Sequence, residues 1–182
     1  MRSISIWLLP CALALALSGC LTLPNPPPPQ QPVAPIAGAR PLRLGSVTGG
    51  SAVNFLWLRA NPLSPPEGHW VDYLKAALQN ELDARGLSDP RADKVLDVIF
   101  LENSFGESPG FSTAKANVRA RFTVYQGALS LYDREQCADT EFESSILYPV
   151  MMSRLKTAYP RLYRQLFDAL FADPDFQAAL RR

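Results

Sequence analysis

Apolar and polar residues alternate most cleanly between Lys115 and Val124. Ala116, Val118, Ala120, Phe122 and Val124 fall on one side, and Lys115, Asn117, Arg119, Arg121 and Thr123 on the other. A period of two with one apolar face predicts a strand buried on one side and wet on the other. Gln126-Gly127 follows as a two-residue turn, which sets Phe122 opposite Leu131, Val124 opposite Leu129 and Thr123 opposite Ser130. Upstream, Val95 to Leu101 is apolar except for Asp97 and predicts a strand covered on both faces or one at the centre of a sheet. Leu42 to Val47 predicts a first strand, Asn54 to Arg59 a short second one, and Asp139 to Ile146 another after a loop at Cys137. Pro62, Pro65 and Pro66 predict a loop.

Two segments carry the helical period. Val71, Leu74, Leu78 and Leu82 repeat at steps of three and four, and Gly86 supplies the stop, with Leu87 folding back on Leu82. Tyr159, Leu162, Tyr163, Leu166, Phe167, Leu170 and Phe171 make a second stripe, with Pro160 expected in its first turn. Asp173 should cap a short last helix that starts at Pro174 and buries Phe176 and Leu180. This order of elements predicts one α/β (α+β) domain over 41–182, with two main helices packed on a mostly antiparallel sheet of about four strands. The aromatic stripe is expected to pack on the sheet rather than face a partner.

The N-terminus follows a different pattern. After Arg2, the stretch from Ile4 to Leu17 is an apolar run of 14 residues broken by Ser5 and Pro10. A spanning helix needs roughly 20 apolar residues, so this is the length of a signal-peptide core. It closes in Leu17-Ser18-Gly19-Cys20. The pattern resembles the bacterial lipobox, which implies that signal peptidase reads Leu17, Ser18 and Gly19, cleaves before Cys20, and leaves diacylglyceryl on its sulfur. Residues 1–19 are then the signal peptide, and 20–40 are a lipidated cysteine with a proline-rich tether. Seven prolines fall between Leu21 and Arg40, four of them consecutive at Pro26 to Pro29. Such a segment favours an open polyproline II form reaching up to about 60 Å over twenty residues, a disordered spacer able to hold a domain clear of the headgroups. Leu21 stands where an aspartate would imply inner-membrane retention in this class, so the resemblance implies the periplasmic face of an outer membrane or, in a Gram-positive host, the outer surface of its single membrane.

Composition narrows the function further. The chain has 182 residues, with 18 Lys+Arg against 17 Asp+Glu, and such a balance argues against an electrostatic nucleic-acid binder. Cys11 leaves with the signal peptide and Cys20 is acylated, so Cys137 is the last thiol and no intrachain disulfide can form. It is expected to be unpaired and partly buried beside its loop, with pairing between chains as the alternative. No nucleophile elbow, phosphate loop, dinucleotide fingerprint or paired-cysteine motif is present, so no catalytic, cofactor or metal residue is assigned. His69 is the one side chain whose ordinary pKa suits proton transfer near neutrality, and it has no assigned nucleophile beside it. Asp133, Glu135, Asp139, Glu141 and Glu143 lack calcium-loop spacing. A solvated rim, or weak pairing with Lys115, Arg119 and Arg121, accounts for them equally well.

The lipobox, the helix carrying Leu78-Gln79-Asn80-Glu81-Leu82-Asp83-Ala84-Arg85-Gly86 and the strand Leu96-Asp97-Val98-Ile99-Phe100-Leu101 together resemble the YajG-like bacterial lipoproteins. The strand opening Lys115-Ala116-Asn117-Val118 and the helical tail with Asp173 extend that likeness. The order strand–helix–three strands–helix is also similar to the lipopolysaccharide-assembly lipoprotein LptE and to PqiC-like auxiliary lipoproteins. The YajG-like resemblance implies an envelope location and little mechanism; with no catalytic residue assigned, the expected protein is a membrane-anchored, non-enzymatic one that binds another envelope component. An accessory subunit of a lipid or lipopolysaccharide transport system is the alternative, and an enzyme using His69 a distant third.

Overall fold

A computed structural model describes Leu23 and residues 36–182 of the chain. Its order is β1 (Arg43–Gly49), a 3-10 turn (Ser51–Asn54), β2 (Leu56–Leu58), β3 (Asn61–Leu63), α1 (Trp70–Ala84), β4 (Lys94–Glu107), β5 (Thr113–Gln126), β6 (Leu129–Glu143), α2 (Tyr148–Ala172) and α3 (Pro174–Arg181). The large sheet runs β1-β4-β5-β6, with β1 parallel to β4 and the other neighbours antiparallel. β2 and β3 form a separate two-stranded hairpin. This is the α+β architecture that the residue pattern predicts, with the helices on one face of the sheet.

That face is apolar because alternate residues of β4 and β5 point to it: Leu96, Val98 and Phe100, then Ala114 through Val124 in steps of two. Trp70, Tyr73, Leu74 and Leu78 of α1 and Tyr159, Leu162, Tyr163 and Leu166 of α2 close over it, all essentially fully buried. Trp70, Tyr73, Tyr159 and Tyr163 pack ring against ring at centroid separations of 5.0–6.5 Å. The α2 stripe therefore packs inward, as expected. Burial of roughly 1.5–3 kcal/mol per large side chain supplies the main driving force.

α1 stops as anticipated. Gly86 has φ of +64°, and its N–H and that of Leu87 donate to the carbonyls of Asp83 and Leu82 at 3.0 and 2.9 Å. This is the paired-bond Schellman ending, which needs a residue that tolerates the left-handed region. The lone acid in the β4 run has a job too. β1 breaks register between Leu44 and Val47, and the Oδ1 of Asp97 accepts from the N–H and Oγ of Ser46 at 2.7 and 3.0 Å, filling the break.

Four local expectations are corrected. The β5–β6 turn is Gly127-Ala128, with Gln126 opposite Leu129, and a bulge after Val124 then places Val124 opposite Tyr132, Thr123 opposite Asp133 and Phe122 opposite Arg134. There is no loop at Cys137: β6 runs unbroken for 15 residues and carries Cys137 exposed on its outer face, opposite Arg119. Pro62 lies in β3, paired with Trp57, where a short edge hairpin asks no amide hydrogen of it. Finally, α2 begins at Tyr148 with Pro149 at its start, so Pro160 sits inside the helix. An interior proline costs about 3 kcal/mol, offset here by buried Met151, Met152, Leu155, Leu162 and Leu166 on both sides of it.

Candidate functional site

The least conventional part of the molecule is the hairpin that leads into α1. Trp70 Nε1 donates to the Leu63 carbonyl at 3.2 Å, fastening β3 to the helix start, and Asn54 Oδ1 accepts the Val71 N–H at 3.2 Å, capping α1 from outside it. Leu56, Leu58 and Leu63 are buried against the core, while Phe55 and Trp57 on the alternate positions are 67% and 54% exposed. Between the hairpin and the entrance to α1 lies a cavity of about 370 Å³, walled by Phe55, Leu56, Trp57, Pro62 and Leu63 with Ser51, Ser64 and His69 at its polar side.

Arg59 at the hairpin tip anchors this end. It sits at φ of +59°, and its guanidinium gives two bonds to Glu107 at 3.0 Å each and one each to the carbonyls of Ser145 at 2.6 Å and Ile146 at 3.0 Å. It also stacks 4.5 Å from the centre of the Phe111 ring. Burial pushes the Glu107 carboxyl up, but the Arg59 and Ser144 hydrogen bonds and the Arg59 charge outweigh it and hold the carboxyl below its ordinary range. Bidentate pairing of this kind is both strong and directional.

The sheet face away from the helices is uncovered and carries a ladder of ion pairs: Lys115 with Glu141 at 3.1 Å, Arg119 with Glu102 and Glu135 at 3.4 and 3.3 Å, and Arg121 with Asp133. The β6 acids thus face the basic side of β5, one of the two arrangements the residue types allowed. Half-exposed Ile99 and Leu101 lie along the same face. A second cavity of about 360 Å³ opens between β6 and α2, lined by Glu141, Glu143, Arg154, Thr157 and Arg161.

At the opposite end, Asp173 caps α3 by accepting the Asp175 N–H at 2.9 Å and also accepts from Tyr132 Oη and Gln136 Nε2 at 2.9 and 3.0 Å. Burial raises the Asp173 carboxyl, but the Asp175 amide, the Tyr132 hydroxyl and the Arg134 charge prevail and lower it. The Tyr132 hydroxyl is pushed up to about 12, chiefly by burial. Lys94 caps the far end of α3, its Nζ donating to the carbonyls of Ala179 and Leu180 at 2.9 and 2.7 Å.

Of the residues singled out from sequence, Leu17, Ser18, Gly19 and Cys20 lie outside the described residues. His69 lines the hairpin cavity beside Ser51 and Ser64, and among the described residues no hydrogen bond joins it to either hydroxyl. Among the described residues no group of three or more His, Cys, Asp or Glu is gathered closely enough to hold a metal ion, and no helix is long and apolar enough to cross a membrane. The Arg59 node and the exposed Phe55–Trp57 pair are not anticipated by the sequence pattern. Phe55-Leu56-Trp57-Leu58 alternates large residues on both faces, and that unusual apolar outer face is the signal that could have found them.

No family model and no curated protein matches the sequence. Among solved structures, protein XCC0632 from Xanthomonas campestris, of the family model DUF330, superposes with a TM-score of 0.53 over 88% of this chain and 91% of that one, at 10% identity. The likeness is one of fold. The hypothetical protein CT253 from Chlamydia trachomatis matches at a TM-score of 0.36 and 14% identity over 71% of this chain and 95% of that one.

Proposed function

We propose that this protein is a lipid-anchored envelope lipoprotein, held through acylated Cys20 at the periplasmic face of an outer membrane, whose domain is a non-enzymatic binding module. The Leu17-Ser18-Gly19-Cys20 motif and the likeness to YajG-like lipoproteins support the address. The observation that supports binding is the uncovered outer face of β4, β5 and β6. Helices take one side of the sheet, leaving strands of 14, 14 and 15 residues to present paired charges with Ile99 and Leu101 among them. Charge complementarity sets register and partner choice, and the exposed apolar side chains add buried area when a partner lands.

A domain that itself carried acyl chains would need a groove between helices and sheet. That interior is filled by Trp70, Tyr73, Tyr159, Tyr163 and Phe100, and the void beside α1 and α2, lined by Tyr73, Tyr163 and Phe167, has about 10 Å³. Room of that size admits about one water molecule. The larger cavity between β6 and α2 is lined by the charged Glu141, Glu143, Arg154 and Arg161, a poor lining for acyl chains. This favours a protein partner over a lipid cargo. Photo-crosslinkers placed at Ile99 and at Thr157 of the full acylated chain in cells test the reading. Capture of one partner from Ile99, lost on Arg121→Glu, supports it; equal capture from both positions contradicts it.

A further inference from the structure

Ahead of Ile36 the structure describes Leu23, and that residue is part of the core. It is 2% exposed, and its N–H donates at 3.2 Å to the carbonyl of Ser64, the residue after β3. Three peptide steps separate it from Cys20, and an extended chain covers at most about 3.3–3.6 Å per residue. The acylated sulfur is therefore tied within roughly a dozen ångströms of the hairpin, however far the prolines beyond Leu23 could stretch. At the other end of the domain, the Arg40 N–H donates to the Leu180 carbonyl at 2.9 Å.

The two ends differ in character. At the α3 end, Lys94 opens β4 and Asp173, Arg134 and Asp175 form an ionic cluster. At the hairpin end, where Glu107 closes β4, apolar side chains stand in water: Phe55 and Trp57 on the hairpin, and Ile146 and Leu147 at 72% and 63% exposure. Arg59 holds these together, since the same guanidinium bonds to Glu107 and Ile146 and stacks on Phe111.

We infer that the hairpin end of the domain rests against the bilayer, with Phe55 and Trp57 in the headgroup layer and Ile146 and Leu147 beside them. The α3 end then points into the aqueous compartment, and the domain rides on the membrane instead of hanging on a long leash. The inference rests on the proposed acylation of Cys20. Tryptophan favours the membrane–water interface, where its apolar ring and its indole N–H are both satisfied, and Phe55 adds apolar area beside it. Tethering converts their weak attraction into an intramolecular contact at high effective concentration, so few side chains suffice.

The test uses the full acylated chain in vesicles of phosphatidylethanolamine and phosphatidylglycerol in which part of the lipid carries brominated acyl chains. After cleavage before Cys20 the chain keeps two tryptophans, Trp57 and the fully buried Trp70, so a Trp57→Phe variant isolates the Trp57 signal. The expected result is co-flotation with the vesicles, a blue-shifted Trp57 emission and its loss to the bromines, with Trp70 emission unchanged. Co-flotation without bromine quenching of Trp57 overturns the inference and leaves the anchor standing. Protection of Trp57 from acrylamide and from bromine alike also overturns it, because a protein surface then covers the hairpin. Failure to co-float overturns the anchor and this orientation with it.

Discussion

Replacing Arg59 with alanine should destabilise the domain by about 3 kcal/mol at neutral pH, because it leaves the Glu107 carboxylate buried without its partner. The Glu107 side chain is 8% exposed, and the lost contacts are two bonds to its oxygens, two to the carbonyls of Ser145 and Ile146, and the stack on Phe111. Backbone strain does not confuse the comparison, since arginine and alanine pay alike for a φ of +59°. Linkage supplies a second readout. In the parent chain Glu107 titrates below its ordinary value, so its contribution is present above about pH 4.3 and is lost as pH falls through the lowered pKa. Without Arg59 the burial effect is the largest one left, which lifts the carboxyl and lets the variant protonate Glu107 at a milder pH. The gap between parent and variant should therefore narrow as pH falls from about 7 to about 4.5. Urea unfolding followed by circular dichroism at the two pH values measures both. A loss under about 1 kcal/mol at pH 7, or a gap indifferent to pH, refutes the reasoning.

Other outcomes can be stated more briefly. Tyr159→Phe should leave stability unchanged or raise it by about 1–2 kcal/mol in the same assay, because the buried hydroxyl has no hydrogen-bond partner among the described residues and its desolvation is a net cost; a loss above about 1 kcal/mol would show a hidden partner. Asp173→Ala should cost about 1–2 kcal/mol by removing the α3 cap and the acceptor for Tyr132 and Gln136. Gly45→Ala should destabilise as well, since its Cβ would collide with Val95 Cγ1 and Asp97 Oδ1, and thermal melts will show whether β1 can shift to make room. In the native chain a maleimide should add to Cys137 and nowhere else, whereas labelling at Cys20 would show a free thiol there.

Much of the fold is legible because its signals are local. The α1 stripe, the Gly86 stop and the Asp173 cap each lie within a few residues of the atoms they organise, and all three appear as expected. What the local pattern misses depends on distant partners. β6 reads as two pieces because its inner face carries Arg134 and Gln136, which look like loop residues until Asp173 and Asp175, at the cap and first turn of α3, are seen pairing with them. The β5–β6 register differs because the turn falls one residue later, at Gly127-Ala128, which shifts every partner by two, and a bulge after Val124 adds one residue more that no alternation announces. Pro160 reads as a helix start because a proline favours the first turn, and only the long buried stripe from Met151 onward reveals that the helix runs through it. Of the candidate site, His69 does lie at the α1 entrance, while the docking of Leu23 and the reach of Arg59 to Glu107 span 41 and 48 positions of sequence.

The lipid anchor is tested most directly by mass spectrometry of the N-terminal fragment from protein extracted out of cell membranes. The expected fragment begins at Cys20 and carries a thioether-linked diacylglyceryl group. An unmodified Cys20, or a fragment that still holds residues 1–19, would contradict the anchor and the orientation built on it.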